Sequence, residues 1–191
     1  AGVSKLEQPL TKDVSSLIQA IKMFAKPQGA TALHDGIIEA SNYLEDYAGR
    51  RVIVIVSDGQ DTLSDATFDQ MVKIVQENSC QVYIVHTNEF ENFKRTGSRN
   101  GSANLRGLAA ERRMKNLAEQ TGGAVYSPID ERELEDAFTK ISVELAQQYI
   151  LGYYPSDEVR DGKIRTIDLN VKTDKSLTIR SRKGYYVTKR N

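Results

Sequence analysis

The sequence predicts an α/β protein: an open, mostly parallel sheet with helices on both faces, three-layered and Rossmann-like, followed by a small antiparallel β appendage. Residues 52–56 (VIVIV) and 82–85 (VYIV) are unbroken, largely β-branched runs, the composition of strands buried on both faces. A helical pattern lies between them. Strand, helix and strand thus form a βαβ unit, whose crossover is almost always right-handed. After Gln148 the hydrophobic period changes from helical to alternating, the pattern of half-buried antiparallel hairpins.

The elements follow in order. Residues 11–25 read as a helix, with Leu17, Ile21 and Phe24 at helical spacing and Thr11 or Asp13 as cap; Pro27 and Gly29 break it. A second helix is predicted from Leu33 to Tyr47, apolar at Leu33, Ile37, Ala40 and Leu44 and ended by Gly49. The strand at 52–56 closes at Asp58-Gly59. Ser64 is expected to open the next helix, with Phe68, Met71, Val72 and Val75 inward. After the strand at 82–85, residues 93–106 are polar and Gly/Ser-rich, and Lys94, Arg95, Arg99 and Arg106 make them basic; they read as a mobile loop with a possible anion patch. A helix over 108–120 stops at Gly122-Gly123, and 124–126 is a third short strand. Asp130 and Glu133 fit a capping box for a helix with Leu134, Phe138, Ile141 and Leu145 inward. Residues 149–154 (YILGYY) read as a strand ended by Pro155. Ile167, Leu169 and Val171 alternate with Thr166, Asp168 and Asn170 over 163–172. Leu177 and Ile179 continue the alternation past a turn at 173–175, and Gly184-Tyr185-Tyr186 enters a last strand. The chain therefore divides into a body, 1–148, and a β appendage, 149–191.

Charges balance, 26 Lys plus Arg against 26 Asp plus Glu, so net charge favours neither nucleic acid nor a membrane surface. No stretch approaches the roughly 20 apolar residues of a membrane span. The single cysteine, Cys80, rules out an intrachain disulfide and reads as a buried small hydrophobe. His34 and His86 lie on different elements with no metal-ligand spacing between them, and neither a nucleophile elbow nor a phosphate loop occurs. These absences point away from an enzyme. Tyr149, Tyr153, Tyr154, Tyr185 and Tyr186 are expected to pack in the core or on the sheet, or else to form a protein-contact surface.

Two loops carry most of the functional signal: Gly29-Ala30-Thr31-Ala32-Leu33 running into a helix, and Val56-Ser57-Asp58-Gly59-Gln60-Asp61 leaving a strand. Together they resemble the second and third metal-site motifs of the von Willebrand factor A family. Residues 5–148, the string LAQQYILGYYP and the closing RSRKGYYV further resemble its bacterial, acidobacterial-type von Willebrand-related branch. The resemblance implies a three-layer fold of that type. It also implies an adhesion or assembly module that binds a partner's Glu or Asp through Mg²⁺ or Ca²⁺ in an extracytoplasmic setting. Thr31 takes the threonine role and Asp58 the aspartate role. Oxygen donors at loops after parallel strands suit hard cations and the usual ligand edge of such sheets.

The family's first motif, Asp-x-Ser-x-Ser at the end of a central strand, has no match here. Asp13-Val14-Ser15-Ser16 has the wrong spacing and reads as a helix start. The sheet is therefore expected to be incomplete at the N-terminus. Upstream residues or another chain would supply a strand beside residues 52–56, and cation binding would depend on that completion. Two other readings stay open: a metal-assisted hydrolase using Asp58, Asp61 and His34, and a metal-free structural interaction domain.

Overall fold

The computed structural model describes residues 4–23, 30–98, 105–155, 161–173 and 176–187. The elements are α1 (Val14–Met23), α2 (Leu33–Glu45), β1 (Arg51–Ser57), α3 (Phe68–Glu77), β2 (Cys80–His86), α4 (Asn88–Thr96), α5 (Leu105–Thr121), β3 (Val125–Tyr126), α6 (Glu131–Ala146), β4 (Ile164–Thr166) and β5 (Gly184–Tyr186). The first three strands form a parallel sheet in the order β1-β2-β3, and β4 pairs antiparallel with β5. The mixed α/β architecture agrees with the expected Rossmann-like arrangement.

Strand parity divides the core. Val82 and Ile84 of β2 face a cluster built with Ile37 of α2, Val72 and Val75 of α3, and Met114 and Leu117 of α5. Tyr83 and Val85 point to the opposite face, where Ile141 of α6 closes over them with Leu134 and Leu145 at the margin. β2 is thus buried on both faces, as its uniformly apolar run predicts. β1 is not. Ile53 and Ile55 are buried beneath α2 and α3, but Val54 and Val56 are 41% and 55% exposed, because α6 shelters β2 and leaves the far half of β1 bare.

Other departures have local causes. Helix α3 begins at Thr67, whose hydroxyl accepts from the Gln70 amide while the Gln70 side chain accepts from the Thr67 amide, a capping box three residues beyond Ser64. Residues 93–96 belong to α4, which ends at Gly97 in the left-handed region; Arg99 lies outside the described residues. Asp130 caps α6 through the Glu133 amide, while the Glu133 carboxylate accepts from Ile129. Phe24, Pro27 and Gly29, together with residues 174–175 of the expected turn, also lie outside the described residues.

The appendage is sparser than its alternation predicts. Residues 149–154 form no strand, and neither do 167–172 nor 177–179. Tyr149 and Tyr154 are 94% and 100% exposed rather than packed. Tyr185 meets Tyr153 edge-on, and the Lys73 ammonium lies over the Tyr186 ring. The tail is anchored on the body by Lys183 donating to the Gln120 carbonyl and by the Arg180–Glu144 ion pair. Gly122 permits this approach: it turns at φ +80°, and a Cβ there would lie 2.6 Å from the Arg182 nitrogen. Among the described residues no helix is long and apolar enough to cross a membrane.

Candidate binding site at the C-terminal end of the parallel sheet

β1 ends at Ser57, and the chain turns at once. The Ser57 hydroxyl accepts from the Gly59 amide, and Asp58 Oδ1 accepts from the Gln60 amide at 3.0 Å while Oδ2 takes the Gln60 side-chain amide at 3.1 Å. These are local side-chain-to-backbone turns of the kind that Ser and Asp favour. His86, buried at the end of β2, fixes the turn from the neighbouring strand: its Nε2 donates to the Asp58 carbonyl at 2.9 Å. Gly59 sits at φ +75° over α5, where a Cβ would come within 2.8 Å of Met114 Cγ. Glycine at 59 is therefore demanded twice, by backbone conformation and by helix packing.

The second loop is stapled to the first. The Thr31 amide donates to Thr62 Oγ1 at 2.8 Å, and the Thr62 and Leu63 amides donate to the Thr31 carbonyl at 2.9 and 3.1 Å. Below this staple, Asp61 performs a task left open by sequence. The N-cap position of α2 is Ala32, whose side chain caps nothing. Asp61 Oδ1 reaches across instead and accepts from the Leu33 amide at 2.7 Å, the His34 amide at 3.2 Å and the Ser64 hydroxyl. A carboxylate at a helix N-terminus also meets the positive end of the helix dipole. Burial pushes the Asp61 carboxyl up. The hydrogen bonds from Ser64 and from the His34 and Leu33 amides, with the nearby His34 ring, outweigh it and hold the group below the usual aspartate value.

Asp35 returns the favour, accepting from the Asp65 and Ala66 amides at 2.9 and 3.0 Å. His34 is buried and its Nδ1 lies 3.1 Å from the Ala66 carbonyl; a carbonyl can only accept, so Nδ1 carries the proton. Nδ1 also stands 3.7 Å from Asp61 Oδ2. His34, Asp35, Asp61 and Ser64 thus form one lock holding residues 58–66 against the start of α2. The sequence shows each residue type but not their convergence, since the partners lie about thirty positions apart.

The predicted pair, Thr31 and Asp58, belongs to these two stapled loops. The Thr31 side chain is exposed and Asp58 is half-buried. A hydroxyl and a carboxylate are the right kind of donor for Mg²⁺ or Ca²⁺, which take six or more oxygens. Two donors are too few to hold such an ion alone, and both Asp58 oxygens already accept from Gln60. Among the described residues no group of three or more His, Cys, Asp or Glu is placed to hold a metal.

No protein-family model matches the chain, and no curated protein matches it. Solved structures do. The conserved hypothetical protein BatB from Bacteroides thetaiotaomicron is similar at 15% identity with a TM-score of 0.53, over 73% of this chain and 73% of that one. An aerotolerance-related membrane protein from Bacteroides fragilis, solved with multiple mutations to serines, is similar at 19% identity with a TM-score of 0.52, over 72% of this chain and 71% of that one. At these identities the likeness is one of fold.

Proposed function

We propose that this chain is a protein-binding module of the von Willebrand A type, working in adhesion or assembly, with its binding face at the C-terminal end of the parallel sheet. The observation that carries the reading is the stapling of the Thr31 loop to the loop after β1, which brings the two motif-bearing segments to one end of one strand. Open α/β sheets bind ligands at that edge. Thr31 and Asp58 would contribute two oxygens to a Mg²⁺ or Ca²⁺ ion. Water, a Glu or Asp of the partner, and further protein oxygens would supply the rest. The ion's chemistry would be to bridge two carboxylates that otherwise repel. The chain's own residues set the geometry: Gln60 orients Asp58, His86 fixes its carbonyl, and Asp61 holds the loop. The setting implied by the resembled branch is extracytoplasmic.

A hydrolase built on Asp58, Asp61 and His34 has less support. Asp61 Oδ1 accepts three hydrogen bonds, and the Nδ1 proton of His34 is committed to the Ala66 carbonyl.

The test is a titration of the isotope-labelled chain with Mg²⁺ or Ca²⁺, followed by acetate as the simplest carboxylate probe. The expected result is amide shifts at Thr31, Asp58 and Gln60 that need the cation, grow with acetate and vanish in Asp58→Ala. Shifts that persist in Asp58→Ala, or acetate shifts that survive a chelator, overturn the cation reading.

A further inference from the structure

A strand and the helix that follows it in an α/β unit usually need about two to six linking residues. Between β2 and α5 residues 87–104 intervene instead, and they carry α4. This helix adds nothing to the core: none of its residues is buried, and neither apolar cluster includes one. Its position gives it another use. Its start is fastened to the end of the sheet, where the Thr87 amide donates to the Ser57 carbonyl at 3.0 Å, one residue from Asp58. Its last turn reaches the start of α6, where Lys94 stands 4.0 Å from Glu131. α4 therefore crosses the C-terminal end of the parallel sheet, starting beside the loop that holds Asp58.

Charge is graded along this helix. Glu89 and Glu91 lie in its first turn, Lys94 and Arg95 in its last. The helix dipole favours that order by itself. It does not explain why residues 92–110 hold four basic residues and no acidic one. Arg106 belongs to this stretch, in the first turn of α5. Ala110, one turn further along the same face, packs on the Asp58-Gly59 turn: a Cβ at Gly59 would lie 3.6 Å from the Ala110 methyl. Arg106 thus stands about 6 Å further out along the helix axis, toward the ligand edge.

These cations are weakly neutralised from within. Among the described residues Glu131 is the only carboxylate in ion-pair reach of Lys94, Arg95 or Arg106; its side chain and that of Lys94 are 83% and 70% exposed. A pair so open contributes little. Arg95 donates to the neutral Asn92 side chain, and the Lys94 ammonium lies 5.5 Å from the centre of the Phe90 ring. A basic rim at a binding edge is matched by acid in the ligand, which steers encounter and rejects other partners. The chain's zero net charge argues against a phosphate polymer as that ligand. Reach sets the spacing: Thr87 to Lys94 spans about 10 Å of helix, which an extended peptide covers in about three residues.

We propose that α4 is the selectivity element of this binding face. Lys94 and Arg95, flanked by Arg106, take acidic side chains of a partner polypeptide about three residues along from the carboxylate held beside Thr31 and Asp58. This rests on the reading of the edge as the binding face and adds the partner's class, an acidic segment rather than a lone Glu or Asp.

The probes are two synthetic heptapeptides added with Mg²⁺ to the isotope-labelled 191-residue chain. One holds a glutamate and, three positions on, two aspartates; the other has asparagines in place of the aspartates. The acidic peptide should bind about three- to tenfold more tightly, as open charge pairs allow, and should shift the Lys94 and Arg95 amides. Raising the salt should shrink that preference. Lys94 and Arg95 are exposed, so the double variant Lys94→Glu/Arg95→Glu should keep the fold and reverse the order, a peptide with lysines for the aspartates binding best. Equal binding of the acidic and asparagine peptides by the native chain overturns the proposal, as does an unchanged preference in the double variant. Displacement of the acidic peptide by an equally charged DNA oligonucleotide at the same concentration overturns it too, since a patch that takes any polyanion selects no polypeptide. The cation reading fails separately, when the asparagine peptide with its one glutamate leaves the Thr31, Asp58 and Gln60 amides unmoved while the acidic peptide still shifts Lys94 and Arg95.

Discussion

Replacing Asp61 with alanine removes the carboxylate that serves as cap for α2 and as lock for the loop after β1. Three donors lose their acceptor at once: the Leu33 and His34 amides and the Ser64 hydroxyl. The side chains of His34 and Asp61 are only 8% and 13% exposed, so water replaces the lost bonds poorly. Loss of an N-cap costs about 1 kcal/mol, and a buried donor left unmatched costs roughly 1–3 kcal/mol. Since these terms overlap, the expected destabilisation is about 2–3 kcal/mol. With a urea slope of about 2 kcal/mol/M, the midpoint should fall by roughly 1–1.5 M at unchanged slope. Asp61→Asn keeps an acceptor but loses the charge, and should fall between the two. Urea unfolding followed by circular dichroism reads all three proteins. A loss below about 0.5 kcal/mol in Asp61→Ala, the range of ordinary surface changes, would refute the claim that this carboxylate holds the site together.

The same group sets a pH dependence. Its folded carboxyl lies below the ordinary aspartate value of 3.8, so its contribution is present above that value and is lost as pH falls through the folded one; the urea midpoint of Asp61→Ala should therefore drop less between pH 5 and 3 than that of the native chain. Gly59→Ala adds a Cβ 2.8 Å from Met114 Cγ at φ +75°, and should cost about 1–3 kcal/mol in urea unfolding; a neutral result would mean the turn can relax. Gly122→Ala should lift the tail, speeding exchange of the Lys183 amide that bonds Gln120 while leaving β2 protected; equal protection in both proteins would count against the docking. Burial, followed by donation to the Glu144 carboxylate, pushes the Tyr126 phenol up to about 12. Tyr126→Phe should accordingly leave the ultraviolet titration unchanged near pH 10 and remove a group only above it; losing a phenol near pH 10 would contradict the assignment.

Much of the fold was legible because its signals are local. The valine and isoleucine runs, the helical spacing in α2 and α6, and the Asp58-Gly59 turn each depend on residues within a few positions of one another. Periodicity failed where local preference was not matched by a partner. The alternation at 167–172 and 177–179 predicts strands, yet among the described residues of the tail only Ile164–Thr166 and Gly184–Tyr186 pair as strands, because a strand exists through its neighbour's hydrogen bonds rather than through its own pattern.

The candidate site divides the same way. Sequence by itself named Thr31 and Asp58 as candidate oxygen donors and put them on loops next to a helix and a strand. Only the tertiary structure decided that Asp61 caps a helix twenty-eight residues upstream, that His86 reaches the Asp58 carbonyl, and that the Thr31 loop is stapled at Thr62. It also decided that β1, an even more β-branched run than β2, is covered on one face and, among the described residues, pairs only with β2. Composition sets what a strand can bury; the number of strands and helices actually beside it sets what it does bury, and that is a property of the whole assembly.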